Sequence, residues 1–142
     1  MDINVILKNK TDKINFFRGL IRLAKCDCNV SLEEKEYFAA AAIQFELDSN
    51  DINNLNQCWD TSEEIEIIFS SKGIGYFFIR EGIQLCSVDR KYDDAEKTEI
   101  KKLTQELDLD NDKVKMIEDW VERGMNWQME GDKLIEELVG IS

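Results

Sequence analysis

Apolar residues recur with helical spacing along nearly the whole chain. Ile14, Phe17, Leu20, Ile21 and Ala24 follow the i, i+3, i+4, i+7 pattern that places side chains on one face of a helix. The same spacing predicts further helices over residues 32–45, 51–58, 62–69, 74–88 and 93–107. The first residues of the 74–88 segment also suit a strand, because they are β-branched and aromatic. The pattern as a whole predicts an all-α fold.

Polar residues indicate where two of these helices begin. Ser31 and Asp93 each precede an apolar run, and Glu34 and Glu96 follow them by three residues. In this spacing the first side chain accepts a backbone N–H of the helix, and the Glu accepts the N–H of the cap residue. Both helices are therefore predicted to start with a capping box.

The C-terminal part of the chain predicts a long helix followed by a short one. Asp110 or Asp112 opens the long helix, and Glu130-Gly131-Asp132 indicates a stop and restart before the last amphipathic segment. The long helix carries an aromatic and methionine stripe, formed by Met116, Trp120, Met125 and Trp127. Such a stripe is usually buried core, and the alternative is a docking surface for a protein partner. The last segment either caps the core or binds elsewhere.

An internal repeat is the most informative feature of the sequence. At an offset of 62, residues 16–48 align with residues 78–110 without a gap, and nine of the 33 pairs are identical. The identical pairs are Phe16/Phe78, Arg18/Arg80, Ile21/Ile83, Leu23/Leu85, Asp27/Asp89, Glu34/Glu96, Lys35/Lys97, Leu47/Leu109 and Asp48/Asp110. Average residue usage gives about two identities by chance. We therefore predict a tandem duplication of one helix–turn–helix unit, in which Leu23 and Leu85 are equivalent core positions.

The duplication defines the domain organisation. The chain is predicted to form a single domain over residues 1–142, with repeat units at about 14–58 and 76–122 and a C-terminal helical extension at about 123–142. The 142 residues include no proline and only seven glycines, which suits long helices better than a turn-rich β-sandwich.

Charge narrows the class of partner. The net charge of −12 opposes binding to nucleic acid and to anionic membranes, and it favours cations and basic protein surfaces. The first residues have no signal-peptide features, and no apolar run approaches the length of a membrane span. We therefore expect a cytoplasmic protein with reduced cysteines.

Each repeat unit carries an Asp at its turn and a Glu seven residues later. Glu34 and Glu96 fit their helix-capping positions, which explains them without any ligand. Asp27 and Asp89 follow the C-terminal end of a helix, where the helix dipole disfavours a negative charge. An Asp at that position needs a compensating partner.

Three kinds of partner are open to these aspartates. They can accept loop N–H groups as Asx turns, pair with Arg18 or Arg80 of their own unit, or bind a cation. Carboxylates without any histidine suit hard ions such as Ca²⁺, Mg²⁺ or Mn²⁺. An EF-hand is excluded, because position 12 counted from the Asp is Phe38 in the first unit and Ile100 in the second.

The two turns carry a family resemblance. The segment from Leu23 to Glu34 resembles the signature of the TerB-like tellurite-resistance family, and the segment from Leu85 to Glu96 resembles its second copy. The same pattern occurs in the N-terminal domain of a class of membrane-anchored J-domain co-chaperones. The resemblance implies an all-α, TerB-like helical bundle with pseudo-twofold symmetry, a non-enzymatic role in stress responses, and an acidic site associated with metal binding. The metal-site residues carried over by position are Asp27, Glu34, Asp89 and Glu96.

The chain departs from the family at one position of each turn. The family usually has glycine directly after the Asp, where this chain has Cys28 and Arg90. Other chemistry has little support from the residues. Zinc would require all four cysteines, since the chain has no histidine, and a catalytic cysteine would lack its usual histidine partner.

Two functions are consistent with these observations. The first is a non-enzymatic, TerB-like stress-response module whose acidic surface binds a divalent cation and which acts with a protein partner. The alternative is a protein-interaction adaptor in which the repeated acids serve only as helix caps and turn formers.

Overall fold

The structure, a computed structural model, describes residues 3–26, 32–87 and 92–141. The helices in these ranges are α1 (Ile3–Ile6), α2 (Lys10–Lys25), α3 (Leu32–Gln44), α4 (Ser49–Asp60), α5 (Lys72–Ser87), α6 (Asp94–Glu106) and α7 (Asn111–Val139). The described ranges contain no strand, which confirms the all-α prediction. None of their helices combines the length and the apolar character that crossing a membrane requires.

Helices α2 and α5 form the centre of the core. Phe16 of α2 stacks on Phe77 of α5 with ring centroids 5.6 Å apart, and Phe78 is completely buried. Glycines let the two helices approach closely. A Cβ added at Gly19 would lie 2.5 Å from the Phe78 ring, and one at Gly82 would lie 2.6 Å from Cδ1 of Leu23.

The other helices surround this central pair. Helix α2 also contacts α4 and α6, whereas α5 also contacts α6 and α7, and α3 packs on α4. The predicted equivalence of Leu23 and Leu85 is only partly correct. Leu23 is 1% exposed, but Leu85 is half-buried at the edge of the core.

The turns after α3 and α6 share one geometry. Glu46 and Asp108 both have positive φ, at 63° and 54°. In each turn the next residue is a buried leucine whose N–H bonds to the carbonyl five residues earlier, as in a Schellman motif. The residues after these leucines, Asp48 and Asp110, then cap α4 and α7.

The segment between α4 and α5 differs from the prediction. The spacing of Ile65, Ile68 and Phe69 predicts a helix over residues 62–69, but these residues adopt an irregular, non-helical conformation. The physical reason is that polar side chains from one side of α2 bond to the backbone of this segment. These bonds replace the hydrogen bonds that a helix would have made.

Five α2 side chains, three or four residues apart, make these bonds. Their contacts are Lys25 Nζ to the carbonyls of Cys58 and Thr61, Arg22 Nη1 to that of Ile65, Arg18 Nε and Nη2 to that of Glu66, and the Asn15 and Asp12 oxygens to the N–H groups of Ile68 and Ser70. We call this set the α2 polar ladder. It holds a chain segment without secondary structure against the core.

Arg22 is also the centre of an ion cluster. Its side chain is 5% exposed and bonds to the carboxylates of Glu99, Glu106 and Glu64. Burial alone would lower the pKa of Arg22, but the hydrogen bonds and charges of Glu106 and Glu99 outweigh burial and raise it. The cluster joins α2, α6 and the 61–71 segment through one cation.

The C-terminal helix is continuous, contrary to the predicted stop at Glu130-Gly131-Asp132. Helix α7 runs without interruption through these residues and ends at Gly140, which has φ 85°. A single glycine destabilises a helix by only about 1 kcal/mol relative to alanine, so a helix with good helix formers on both sides can continue across it. Beyond Val121 every described residue of α7 is exposed except Met125, which is half-buried.

Candidate metal site at the helix ends

The four predicted metal-site residues are unequally described. Asp27 and Asp89 lie outside the described residues. Glu34 lies in the first turn of α3, and its side chain is also outside the described part. Glu96 is described, at the third position of α6. The convergence of all four carboxylates therefore stays a prediction.

Glu96 forms the capping box predicted from the sequence. The Glu96 N–H donates to Oδ1 of Asp93 at 2.9 Å, and the Asp93 N–H donates to Oε1 of Glu96 at 3.3 Å. One oxygen of the Glu96 carboxylate is therefore used in capping the start of α6. The companion box of Ser31 and Glu34 involves atoms outside the described part.

Glu96 also lies beside the end of α5. Burial raises the pKa of the Cys86 thiol, and the neighbouring Glu96 carboxylate and the nearby Cys26 add to this effect. Cys86 is the penultimate residue of α5, and Cys26 caps the end of α2. The helices α2, α5 and α6 also contact one another in pairs, and we call the place where Cys26, Cys86 and Glu96 lie the helix-end junction. Positions 27 and 89 follow this junction closely in the sequence.

A second acid lies next to the junction. The Tyr92 hydroxyl donates to Oε2 of Glu118 in α7 at 2.9 Å. Burial and the Glu118 carboxylate raise the pKa of Tyr92, and Cys86 and Glu96 add to this. Lys97 lies 5.5 Å from the centre of the Tyr92 ring, so positive charge is also present here. The described surroundings are polar and mixed in charge.

The repeated arginines occupy unlike settings. Arg18 donates to the Glu66 carbonyl as part of the α2 polar ladder. Arg80 pairs with Glu81 at 2.7 Å and lies over the rings of Phe77 and Trp120. The predicted pairing of each arginine with the aspartate of its own unit falls on Asp27 and Asp89, which lie outside the described residues.

The described residues hold no group of three Cys, Asp or Glu side chains placed to bind a metal ion. Cys58 and Cys86 are free thiols, and both are buried. Glu96 and the helix-end junction can contribute part of a cation site, and a complete site would need the carboxylates of the two turns.

Two features of the structure go beyond what the sequence predicts. The residues of the α2 polar ladder carry a signal, because their spacing of three or four places them on one side of the helix, opposite its apolar residues. The second feature is the aromatic stripe of α7, for which the sequence pattern favours buried core. In the structure Trp127 is 74% exposed, Met116 is 69% exposed and Trp120 is 48% exposed, which favours the docking alternative.

Comparison with known proteins gave no relative. No family model matches the chain, and no curated protein or solved structure matches it either.

Proposed function

We propose that the chain is a non-enzymatic, TerB-like stress-response module that binds a divalent cation through the carboxylates of its two repeated turns. The observation that carries the proposal is the helix-end junction. Helices α2, α5 and α6 contact one another, and Cys86 near the end of α5 lies beside Glu96 of α6. Asp27 and Asp89 come two residues after the last residues of α2 and α5 in the sequence. Four carboxylates near one place would repel each other, and a cation would relieve that repulsion.

The turns after α3 and α6 support the duplicated, TerB-like origin that this proposal assumes. Glu46 and Asp108, which are 62 residues apart, share a positive φ, the same Schellman hydrogen bonds and a following Leu-Asp pair. Positive φ in a non-glycine residue is uncommon. Two such residues at the repeat offset are therefore better explained by duplication than by chance.

A second candidate function is a protein-interaction adaptor. Two observations favour it: Glu96 already serves as a helix cap, and the aromatic stripe of α7 is exposed. In this case the acids of the turns have only structural roles, and the protein shows no site-specific response to cations.

Thermal melting with and without cations separates the two candidates. For the cation-binding module, we expect millimolar Ca²⁺, Mg²⁺ or Mn²⁺ to raise the melting temperature of the wild type relative to chelator, because a ligand that binds only the folded state stabilises it. The Asp27→Asn/Asp89→Asn double variant should lose this rise. Glu96→Gln is the matched variant, since Gln keeps the capping box but removes the charge.

Each outcome assigns the acids a role. A reduced cation response in Glu96→Gln supports a ligand role for this residue when the melting temperature in chelator is unchanged, or is raised because one repelling charge is gone. Equal responses of the wild type and all variants mean that the cation only screens the net charge of −12, and the adaptor is then the function that remains.

A further inference from the structure

The exposed half of α7 carries an apolar seam with coiled-coil spacing. From Ile117 onward, residues separated alternately by three and four positions lie on one side of the helix. They are Ile117, Trp120, Gly124, Trp127, Gly131, Leu134 and Leu138. We call this set the α7 seam. Trp127, Leu134 and Leu138 are 74%, 54% and 75% exposed, so the seam faces solvent over most of its length.

The seam alternates large and small side chains. Gly124 and Gly131 interleave with Trp120 and Trp127, and a Cβ added at either glycine would have no neighbouring atom within 4 Å. The fold of one chain therefore gives no packing reason for these glycines, although each costs helix stability. A close approach by a large side chain from outside the chain would explain them.

We propose that the occupant of this surface is a second copy of the chain, paired through an antiparallel contact between two α7 seams. Helix α7 spans Asn111–Val139, so full overlap of two antiparallel copies places residue 125 near the twofold axis. In the seam register closest to full overlap, Trp127 faces Gly124 of the second copy and Trp120 faces its Gly131. Each tryptophan then fills the space beside a glycine, as knobs fill holes in a coiled coil.

Charge complementarity supports the same register. Arg123 and Glu130 flank the seam on one side. In this register Arg123 of each copy lies next to Glu130 of the other, which gives two opposite-charge contacts related by the twofold axis. Sliding the second copy by one heptad toward the C-terminus would instead place the two Glu130 carboxylates together, and like charges disfavour that register.

A groove beside the seam receives the end of the second helix. It has a volume of about 620 Å³ and lies next to Ile117, with Val5, Ile6, Ile74, Phe77 and Arg80 among its lining residues. In the proposed register Leu134 of the second copy faces Ile117, and Leu138 follows one turn later over the groove. The dimer would thus bury exposed apolar residues from both halves of α7.

The oligomeric state of the full chain tests the proposal. We expect light scattering and sedimentation to show a concentration-dependent species of twice the 16.5 kDa chain mass. Trp127→Ala should raise the dimer dissociation constant about 30-fold or more, because tryptophans at the centre of an interface are typical hot spots. Met129→Ala is the control, since Met129 is 42% exposed on the opposite side of α7 and should leave dimerisation unchanged.

A charge exchange tests the register. Arg123→Glu and Glu130→Arg should each weaken the dimer, and the double variant, or an equimolar mixture of the two single variants, should restore it. Circular dichroism should show that all these variants remain folded, since both positions are exposed.

Every outcome bears on the proposal. Recovery in the mixture supports the antiparallel pairing, because only contacts between two copies can restore it. A chain that stays monomeric at all concentrations overturns the proposal and leaves the seam to a different partner. A dimer that tolerates both Trp127→Ala and the charge reversals overturns it as well.

Discussion

Replacing Arg22 with alanine is expected to lower the free energy of unfolding by about 3–5 kcal/mol, the range found when one partner of a buried ion pair is removed. Arg22 is 5% exposed and contacts three carboxylates, among which Glu99 has only 17% of its side chain exposed. Without the guanidinium, the poorly solvated Glu99 carboxylate has no positive partner from Arg22, and the Ile65 carbonyl loses its hydrogen-bond donor. Urea unfolding followed by circular dichroism measures the loss.

Arg22→Lys is the matched control for this prediction. It keeps the positive charge but not the planar fork that reaches several acceptors at once, so an intermediate loss of stability is expected. Replacing the exposed Lys115, which pairs with Asp119 on α7, should cost less than about 1 kcal/mol. If Arg22→Ala were as mild as the Lys115 variant, the ion cluster would contribute nothing to folding.

The second large effect is expected at Leu23. Leu23→Ala should cost about 2–5 kcal/mol, the usual range for a buried leucine, because Leu23 of α2 packs against Gly82 of α5 and is only 1% exposed. Leu85, the residue at the same place in the sequence repeat, is half-buried, so Leu85→Ala should cost clearly less. Equal losses at the two positions would contradict the different burial that the structure gives them.

The contact between Leu23 and Gly82 sharpens this test. Gly82→Ala alone should destabilise the protein, since its Cβ would lie 2.6 Å from Leu23 Cδ1 in a closely packed core. Leu23→Ala removes that methyl group, so the double variant should lose less stability than the two single losses combined. Gly73→Ala is the control in the same helix, because its nearest neighbour would be 3.8 Å away. Strict additivity would mean that the two residues do not compete for space.

The sequence predicts most of the helices because their apolar spacing and caps agree. Asp93 and Asp110 are each predicted to open a helix, and each caps one in the structure. The prediction fails at residues 62–69. The apolar spacing of Ile65, Ile68 and Phe69 suits a helix as well as the spacing in the segments that are helical. There the conformation depends on distant side chains of α2, and local periodicity contains no information about them.

The candidate site shows a different limit. The sequence correctly places Glu96 in a capping box with Asp93. It does not reveal that Glu96 adjoins Cys86 or that Cys86 lies near Cys26, because those contacts join the ends of different helices. Likewise Trp127 and Met125 share a pattern typical of core, but only the packing of α5 against the first half of α7 decides that Met125 is half-buried and Trp127 is not.

The α2 polar ladder has a consequence for how this chain diverges over time. Its side chains bond to backbone atoms of residues 61–70, and every residue type except proline offers both of those atoms. Amino-acid substitutions at exposed positions of the segment, such as Glu63, Glu66 and Ile68, therefore leave these bonds intact, whereas substitutions of the α2 side chains remove them. We therefore expect exchanges at these exposed positions to be tolerated better than exchanges within the α2 pattern Asp-x₂-Asn-x₂-Arg-x₃-Arg-x₂-Lys.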